Sequence, residues 1–309
     1  MVGVNLMAVA SGPITAVAEG FYAALEETAR EAYVSALKDI PPDVRAGLAR
    51  AIEGESSERA ANVMRTMLAA VELGDQGMLV CQDTGIPIYW VRIGTGAYVD
   101  GARVGEVIER AVARATLETP FRSSIVHPTE RLNRQDSTGE GVPVLHFEFD
   151  PGAEHLTLLM MPKGSGSENW SFLRMLVPAD GDDAIRSFVL EAVVEAGGKA
   201  CPPLVVGVGL GGTSDQCVAL AKWATARPVG ERHPDPTVAA FEEALLADIN
   251  RLGIGPQGLG GDTTALDVHV ERAWTHNSMN PVAVNLQCWR GERRRARISY
   301  ADHAVDWGY

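Results

Sequence analysis

The feature that most constrains the fold is an unbroken run of apolar residues and glycines, PLVVGVGLGG (203–212), followed directly by TSDQCVALAKWAT (213–225). The first segment predicts a buried strand that ends in a glycine turn, and the second predicts a helix. Further strand-like and helical segments are interspersed along the chain. This pattern predicts an α/β fold, with an α+β arrangement left open, in which mixed β-sheets are flanked by helices.

The first 75 residues are predicted to form a helical N-terminal region. Apolar residues recur at helical spacing in segments 14–40, 43–55 and 58–74. Ser57 is expected to cap the third helix, and Gly74 to end it. No Gly/Ser-rich linker divides the chain, so we expect residues 1–309 to form a single domain.

Later segments lead to more specific predictions. VPVLHFEFD (142–150) and HLTLLMMP (155–162) are expected to pair as a hairpin, and MLV (78–80) is expected to end a buried strand. KGSGSENWSFLRML (163–176) is expected to run from a strand into a helix. The basic run RGERRRARI (290–298) indicates a solvated helix or tail, with a surface for an acidic partner as the alternative.

Charge and hydropathy exclude several classes of function. The net charge of −13 argues against binding to nucleic acid or to an anionic membrane surface. No apolar stretch approaches the roughly 18 residues that a membrane span needs. The N-terminus has no basic residue before Arg30 that could begin a signal peptide, so a cytoplasmic location is expected.

The cysteines are few and widely separated. Cys81, Cys201 and Cys288 each stand where a predicted strand meets a turn, whereas Cys217 lies inside a predicted helix. Buried core thiols are one interpretation of all four. Three thiolates without a fourth also suit an iron–sulfur cluster with one open iron, or a catalytic metal with an open position. Cys81 begins the polar turn CQDTG (81–85) between apolar segments, and burying polar groups there requires partners for them.

Two glycine-rich motifs and one long loop are further candidates. GVGLGG (207–212) matches the G-x-G-x-x-G pattern of dinucleotide sites. Such sites also need an acidic residue about 20 positions further on, at the end of a second strand. Glu231 is at that distance, but it lies in a turn-rich loop. A structural glycine turn is therefore favoured over NAD(P) or FAD binding. KGSGSEN (163–169) is either a capped turn or a set of backbone N–H groups that bind an anion. The polar segment 121–141 is long enough for a functional or mobile loop.

Six motifs taken together resemble a known family. They are CQDTGIP, RSSIVHP, KGSGSEN, CPPLVVGVGLGGTSD, RLGIGPQGLGGDTTAL and PVAVNLQCW, in this order over roughly residues 15–295. The sequence resembles the iron–sulfur-dependent class I fumarate hydratases, more specifically the alpha subunit of their two-subunit form, which is related to the alpha subunit of L-tartrate dehydratase.

The resemblance implies a cofactor and a set of site residues. It implies a 4Fe–4S cluster held by Cys81, Cys201 and Cys288, with one iron lacking a protein ligand and Cys217 left as a structural thiol. The implied substrate-binding residues are Gln82, Asp83, Arg122 and Gly166, and the implied catalytic residues are Asp83 and His276. Without the resemblance, Arg122 would be interpreted as a surface ion-pair residue and His276 as a core histidine.

The resemblance also implies an activity and a partner. The expected reaction is the reversible hydration of fumarate to (S)-malate, with tartrate or a mesaconate-type diacid as alternative substrates and a non-catalytic cluster protein as a further alternative. No segment resembles the family's second module, so a separate beta subunit is expected, in an alpha-two beta-two assembly or a dimer. Asp262 and residues 277–280 depart from the family pattern and are expected to bear on substrate choice.

Overall fold

The structure is a computed structural model that describes residues 15–74 and 79–309. Its helices are α1 (Glu19–Lys38), α2 (Pro42–Gly54), α3 (Glu58–Gly74), α4 (Gly101–Glu118), α5 (Ser165–Glu168), α6 (Gly181–Ala196), α7 (Ser214–Ala224) and α8 (Pro236–Arg251). Its strands are β1 (Ile86–Gly94), β2 (Val144–Asp150), β3 (His155–Lys163), β4 (Ser171–Leu176), β5 (Leu204–Gly211), β6 (Ala265–Ala273), β7 (Asn280–Gln287), β8 (Arg294–Ser299) and β9 (Val305–Gly308). The predicted fold class is confirmed: a helical N-terminal region precedes two mixed sheets flanked by helices.

The first sheet has five strands in the order β2-β1-β3-β8-β9. One face packs against α1 and α4, and residues such as Phe21, Tyr89, Ile108 and Leu158 are buried between them. The opposite face contributes Trp90 and other apolar side chains to a smaller core that it shares with the segment after α7. Helix α4 directs a continuous apolar stripe towards the sheet, and its buried residues include Val104, Ile108 and Val112.

The second sheet has four strands in the order β4-β7-β5-β6. Helices α6 and α8 cover one face, whose core includes Phe188, Val206 and Leu245. Helix α7 covers the other face. A side chain at Gly207 or Gly209 of β5 would collide with backbone carbonyl oxygens of α7. These glycines therefore serve close packing of a helix on a strand, which supports the structural interpretation of the GVGLGG motif.

The predicted hairpin is wrong in its pairing, although both strands exist. Strand β1 lies between β2 and β3, parallel to β2 and antiparallel to β3. The alternating pattern of the two segments fits either neighbour, and β1, buried on both faces, takes the central position. The strand predicted to end at 78–80 is also wrong where it is described, because Leu79 and Val80 lie outside any strand; Met78 falls outside the described residues.

Two further expectations are corrected. The helix predicted after KGSGSEN is the single turn α5, and the chain then forms β4 because its residues pair with β7. The basic run at 290–298 is neither a solvated helix nor a tail. Arg290 and Arg293 are buried, Arg293 pairs with Asp43 at 2.7 Å, and the following residues form β8. Within the described residues, no helix is both long and apolar enough to cross a membrane.

Candidate active site

Four turns meet where the two sheets approach each other. In the first sheet, Ile86 at the start of β1 is paired with Lys163 at the end of β3. In the second sheet, Val205 near the start of β5 is paired with Gln287 at the end of β7. Lys163 Nζ donates a hydrogen bond to Gln287 Oε1 at 2.9 Å and so links the two edges. The CQDTG turn, the KGSGSEN loop and the turns of Cys201 and Cys288 extend from these strand ends.

The turns of Cys201 and Cys288 are in direct contact. The Trp289 backbone N–H, next to Cys288, donates to the Cys201 carbonyl oxygen at 3.1 Å. Cys201 follows the 3₁₀ turn Gly197–Ala200 and has φ of 58°, in the left-handed region that non-glycine residues rarely occupy. Such strain persists where surrounding structure enforces it and is concentrated at functional sites.

The CQDTG turn is fastened to the KGSGSEN loop by Asp83. Asp83 Oδ2 accepts hydrogen bonds from the Ser165 backbone N–H at 2.7 Å and from the Ser165 hydroxyl at 2.9 Å. The other carboxylate oxygen accepts from the Gly85 N–H at 3.2 Å. Gly85 has φ of 66°, and a side chain there would collide with the backbone at Lys163. Only glycine permits this close approach.

Arg122 and Gly166 also lie at these turns. The Thr84 hydroxyl donates to the Arg122 carbonyl oxygen, which brings the exposed Arg122 beside the CQDTG turn. Gly166 lies in α5 opposite the carbonyl oxygen of Lys199, two residues before Cys201. The glycine loop is therefore placed between the turn of Cys81 and the turn of Cys201. Gln82 is exposed in the CQDTG turn.

The loop that contains Arg122 is irregular, as predicted, but it has internal hydrogen bonds. The Ser123 hydroxyl donates to Asn133 Oδ1 at 3.0 Å and accepts from the Ser137 N–H at 3.2 Å. Arg131, Gln135 and Ser137 all have positive φ. These contacts close the segment 121–141 on itself and fix its first residues next to Thr84.

The pKa values of two candidate thiols, Cys201 and Cys288, are raised, in part by a neighbouring cysteine. Burial raises the pKa of the Cys201 thiol, and the negative charge of Cys81 adds to this shift. Burial also raises the pKa of Cys288, with further contributions from Glu292 and Cys201. Within residues 15–74 and 79–309, however, no three His, Cys, Asp or Glu side chains are arranged to bind a single metal ion. The thiols of Cys81, Cys201 and Cys288 are free, and three thiols without a fourth are a donor set that suits an iron–sulfur cluster with one open iron.

Cys217 has a different environment from the other cysteines. It is fully buried in α7, and its thiol donates to the Gly209 carbonyl oxygen at 3.2 Å. Burial raises its pKa to about 11. This setting is that of a packing residue.

His276 is not brought together with the cysteines within the chain. Thr275, its neighbour, donates to the Gly212 carbonyl oxygen at 2.9 Å, beyond the far end of β5. Cys201 and Cys288 lie at the opposite end of that strand, which spans roughly 20 Å at about 3.3 Å per residue. The exposed His276 ring instead contacts the Ser278 hydroxyl at 2.8 Å.

Asp262, the other departure from the family pattern, has a local role. Its carboxylate accepts the Ser56 backbone N–H at 2.9 Å at the turn between α2 and α3. The same loop also contacts the turn of Cys201, because the Gln257 N–H donates to the Pro202 carbonyl oxygen at 2.8 Å.

A family model described as Fumarate hydratase (Fumerase) matches residues 26–298, which include all of these turns. The chain belongs to the fumarate hydratase (Fumerase) family. The resemblance inferred from the six motifs is thus confirmed.

Relatives of this fumarate hydratase family member are named for a different diacid. A Methanocaldococcus jannaschii protein named "Putative L(+)-tartrate dehydratase subunit alpha" is 42% identical over 264 residues, covering 84% of this chain and 92% of that protein. The L(+)-tartrate dehydratase subunit alpha of Escherichia coli O157:H7 is 32% identical over 264 residues, covering 85% of this chain and 86% of that protein. The Shigella sonnei protein of that name gives the same figures.

Sequence reasoning missed three charged residues of this family member's site. Lys163 is almost completely buried, and so are Arg290 and Glu292, which form an ion pair two and four residues beyond Cys288. Burial raises the pKa of Glu292. One signal was available: a glutamate inside a basic run, four residues after a cysteine, is better explained by a buried ion pair than by a solvated tail.

Proposed function

We propose that the chain is the alpha subunit of an iron–sulfur hydro-lyase that adds water to, or removes it from, a small dicarboxylate. Fumarate and (S)-malate are the proposed pair, in line with the family description, and L(+)-tartrate is the alternative that the relatives' names favour. The observation that carries the proposal is the meeting of the Cys201 and Cys288 turns with the loop that Asp83 fastens.

Cys81, Cys201 and Cys288 are the proposed ligands of a 4Fe–4S cluster. All three are free thiols at turns, and the turns of Cys201 and Cys288 are in direct contact. When bound, a cluster with one open iron supplies a Lewis acid for the departing hydroxyl group. A cytoplasmic setting, which we also propose, keeps such thiols reduced.

The chain's own residues would bind the diacid and move its protons. The exposed Arg122 guanidinium offers a bidentate contact to one substrate carboxylate. The Gln82 amide and the Gly166 backbone N–H are further proposed contacts. Asp83 is the proposed proton acceptor, acting through Oδ1, since Oδ2 already receives two hydrogen bonds from Ser165.

The role of His276 stays a prediction, because its ring lies at the far edge of the second sheet. A His276→Asn variant tests it. Lower kcat with an intact cluster would retain a catalytic role, whereas unchanged kinetics would remove it.

The proposed partner is a separate beta chain. The relatives named above are called subunit alpha, and the exposed Cys81, Gln82 and Arg122 leave the site open on one side. We propose that the beta chain closes this side, in an alpha-two beta-two assembly or a dimer.

One experiment tests the proposal. The chain is co-expressed with a beta-subunit-like protein, reconstituted with iron and sulfide without oxygen, and assayed with fumarate, malate, both tartrates and mesaconate. We expect 4Fe–4S absorption that bleaches in air, and hydro-lyase activity with one diacid. Serine at position 81, 201 or 288 should abolish the cluster, whereas Cys217→Ser should retain it. A cluster without activity would favour the non-catalytic alternative, and no cluster would refute the proposal.

A further inference from the structure

Lys163 forms a three-way contact inside the protein. Its side chain is almost completely buried at the end of β3. Nζ donates to the Ser167 hydroxyl at 3.0 Å, to Gln287 Oε1 at 2.9 Å and to the Leu286 carbonyl oxygen. An ammonium group has three protons to donate, and each proton has a partner. The partners come from α5 and from β7, so one side chain joins three elements.

Such a group is costly to bury. Burial lowers the pKa of Lys163 to about 8, although Glu168, Cys288 and Glu292 nearby act in the opposite direction. Buried charged groups destabilise a protein unless they are fully hydrogen-bonded. An apolar side chain would fill the space at lower cost. Packing alone therefore does not explain a lysine here, whereas a need for three directed hydrogen bonds does.

The partners of Lys163 adjoin the proposed functional residues. Ser167 follows Gly166, the proposed substrate contact, and Gln287 precedes Cys288, the proposed cluster ligand. Ser165, on the other side of Gly166, is held by Asp83. The two serines of KGSGSEN thus fasten the loop in two directions, to the CQDTG turn through Asp83 and to the end of β7 through Lys163.

We propose that Lys163 is a positioning residue that fixes the Cys288 end of β7 against the glycine loop, and so governs cluster retention and substrate affinity together. This inference rests on the proposed function. Lys163 itself touches neither substrate nor cluster, since its three protons are already donated within the protein.

The test compares Lys163→Met with Lys222→Met in the holoenzyme. Lys222 is a matched control, because it also contacts the glycine loop segment, through Glu168, and among the described residues it donates no hydrogen bond to β7. For Lys163→Met we expect iron loss to a chelator about 10–100 times faster than in the wild type, as for other residues that orient metal ligands. The KM of Lys163→Met should also rise, whereas Lys222→Met should retain the wild-type rate of iron loss and the wild-type KM.

A second readout needs no cluster. In the apo protein, alkylation by iodoacetamide is followed residue by residue with mass spectrometry. Lys163→Met should accelerate labelling of Cys288 several-fold relative to Cys217, since the end of β7 loses its attachment. Ser167→Ala and Gln287→Leu each remove one contact and should give intermediate effects if Lys163→Met does not fold.

The outcomes separate the two proposals. If the wild type binds no cluster, the proposed function fails, and Cys288 labelling still decides the role of Lys163. If the wild type holds a cluster and Lys163→Met matches Lys222→Met in iron loss, KM and labelling, the positioning role is refuted. Additive effects of Lys163→Met and Gln287→Leu would also refute it, because residues that act through one contact should not add.

Discussion

Replacing Asp267 with asparagine should destabilise the protein in a pH-dependent way. Asp267 is fully buried on β6, where its carboxylate accepts from the Gly230 N–H at 2.6 Å and the Val268 N–H at 2.8 Å. Arg232 pairs with it, and His269 Nε2 lies 3.2 Å away. Burial alone would raise the pKa of Asp267, but the nearby His269 and the hydrogen bonds from Gly230 and Arg232 outweigh it and lower the pKa from 3.8 to about 2.

The size and sign of the effect follow from this shift. Each pKa unit corresponds to about 1.4 kcal/mol, so the ionised carboxylate stabilises the folded state by about 2 kcal/mol. Because the folded-state pKa is depressed, this contribution is complete above about pH 4 and is lost as pH falls towards 2. At neutral pH, Asp267→Asn should lower the melting temperature by about 4 °C for a chain of this size.

The assay is thermal unfolding of the reduced apo protein, followed by circular dichroism from pH 7 to pH 2.5. Asp262→Asn is the control, since Asp262 is an exposed carboxylate in the neighbouring loop whose hydrogen-bond partner is Ser56. The difference in melting temperature between the wild type and Asp267→Asn should become smaller below pH 4. A gap that does not change with pH, or an equal effect of Asp262→Asn, would refute the reasoning.

Three further predictions concern packing and the site. Gly209→Ala should lower the free energy of unfolding by about 1–3 kcal/mol in chemical denaturation, because the added methyl group collides with the α7 backbone. Gly105→Ala, in the interior of α4 where the methyl group would make ordinary contacts, should raise the free energy of unfolding. A change of the same sign in both variants would contradict the packing argument. Arg122→Lys should lower kcat/KM about tenfold through loss of one charged hydrogen bond, and unchanged kinetics would remove Arg122 from the site. Ser165→Ala should reduce kcat with little change in melting temperature, and wild-type steady-state rates would show that Asp83 needs no such support.

Local sequence patterns were sufficient to predict many of the helices and strands. Helix α4 and the pair β5–α7 have periodic or unbroken apolar residues whose burial fixes their type. Pairing between strands was not accessible in the same way. The segments that form β2 and β3 are adjacent in sequence and alternate suitably for a hairpin, and only the long-range partner β1 decides against it.

The candidate site divides along similar lines. The residues at 81–83, with Cys201 and Cys288, were found from motifs, because glycines and polar residues at strand ends leave a visible pattern. Lys163 was missed because its significance depends on acceptors more than 120 positions away, at the end of β7. His276 was grouped with the cysteines by the family resemblance, whereas the antiparallel course of β7 puts the two ends of that strand at opposite edges of the sheet.

The division of the cysteines between the two sheets has a consequence for maturation. Cys81 precedes a strand of the first sheet, whereas Cys201 and Cys288 border strands of the second. On the proposed ligand set, a chain in which only one sheet has formed presents at most two thiols at the correct spacing. Cluster insertion would therefore follow docking of the sheets, and a loaded cluster would report that both halves had assembled.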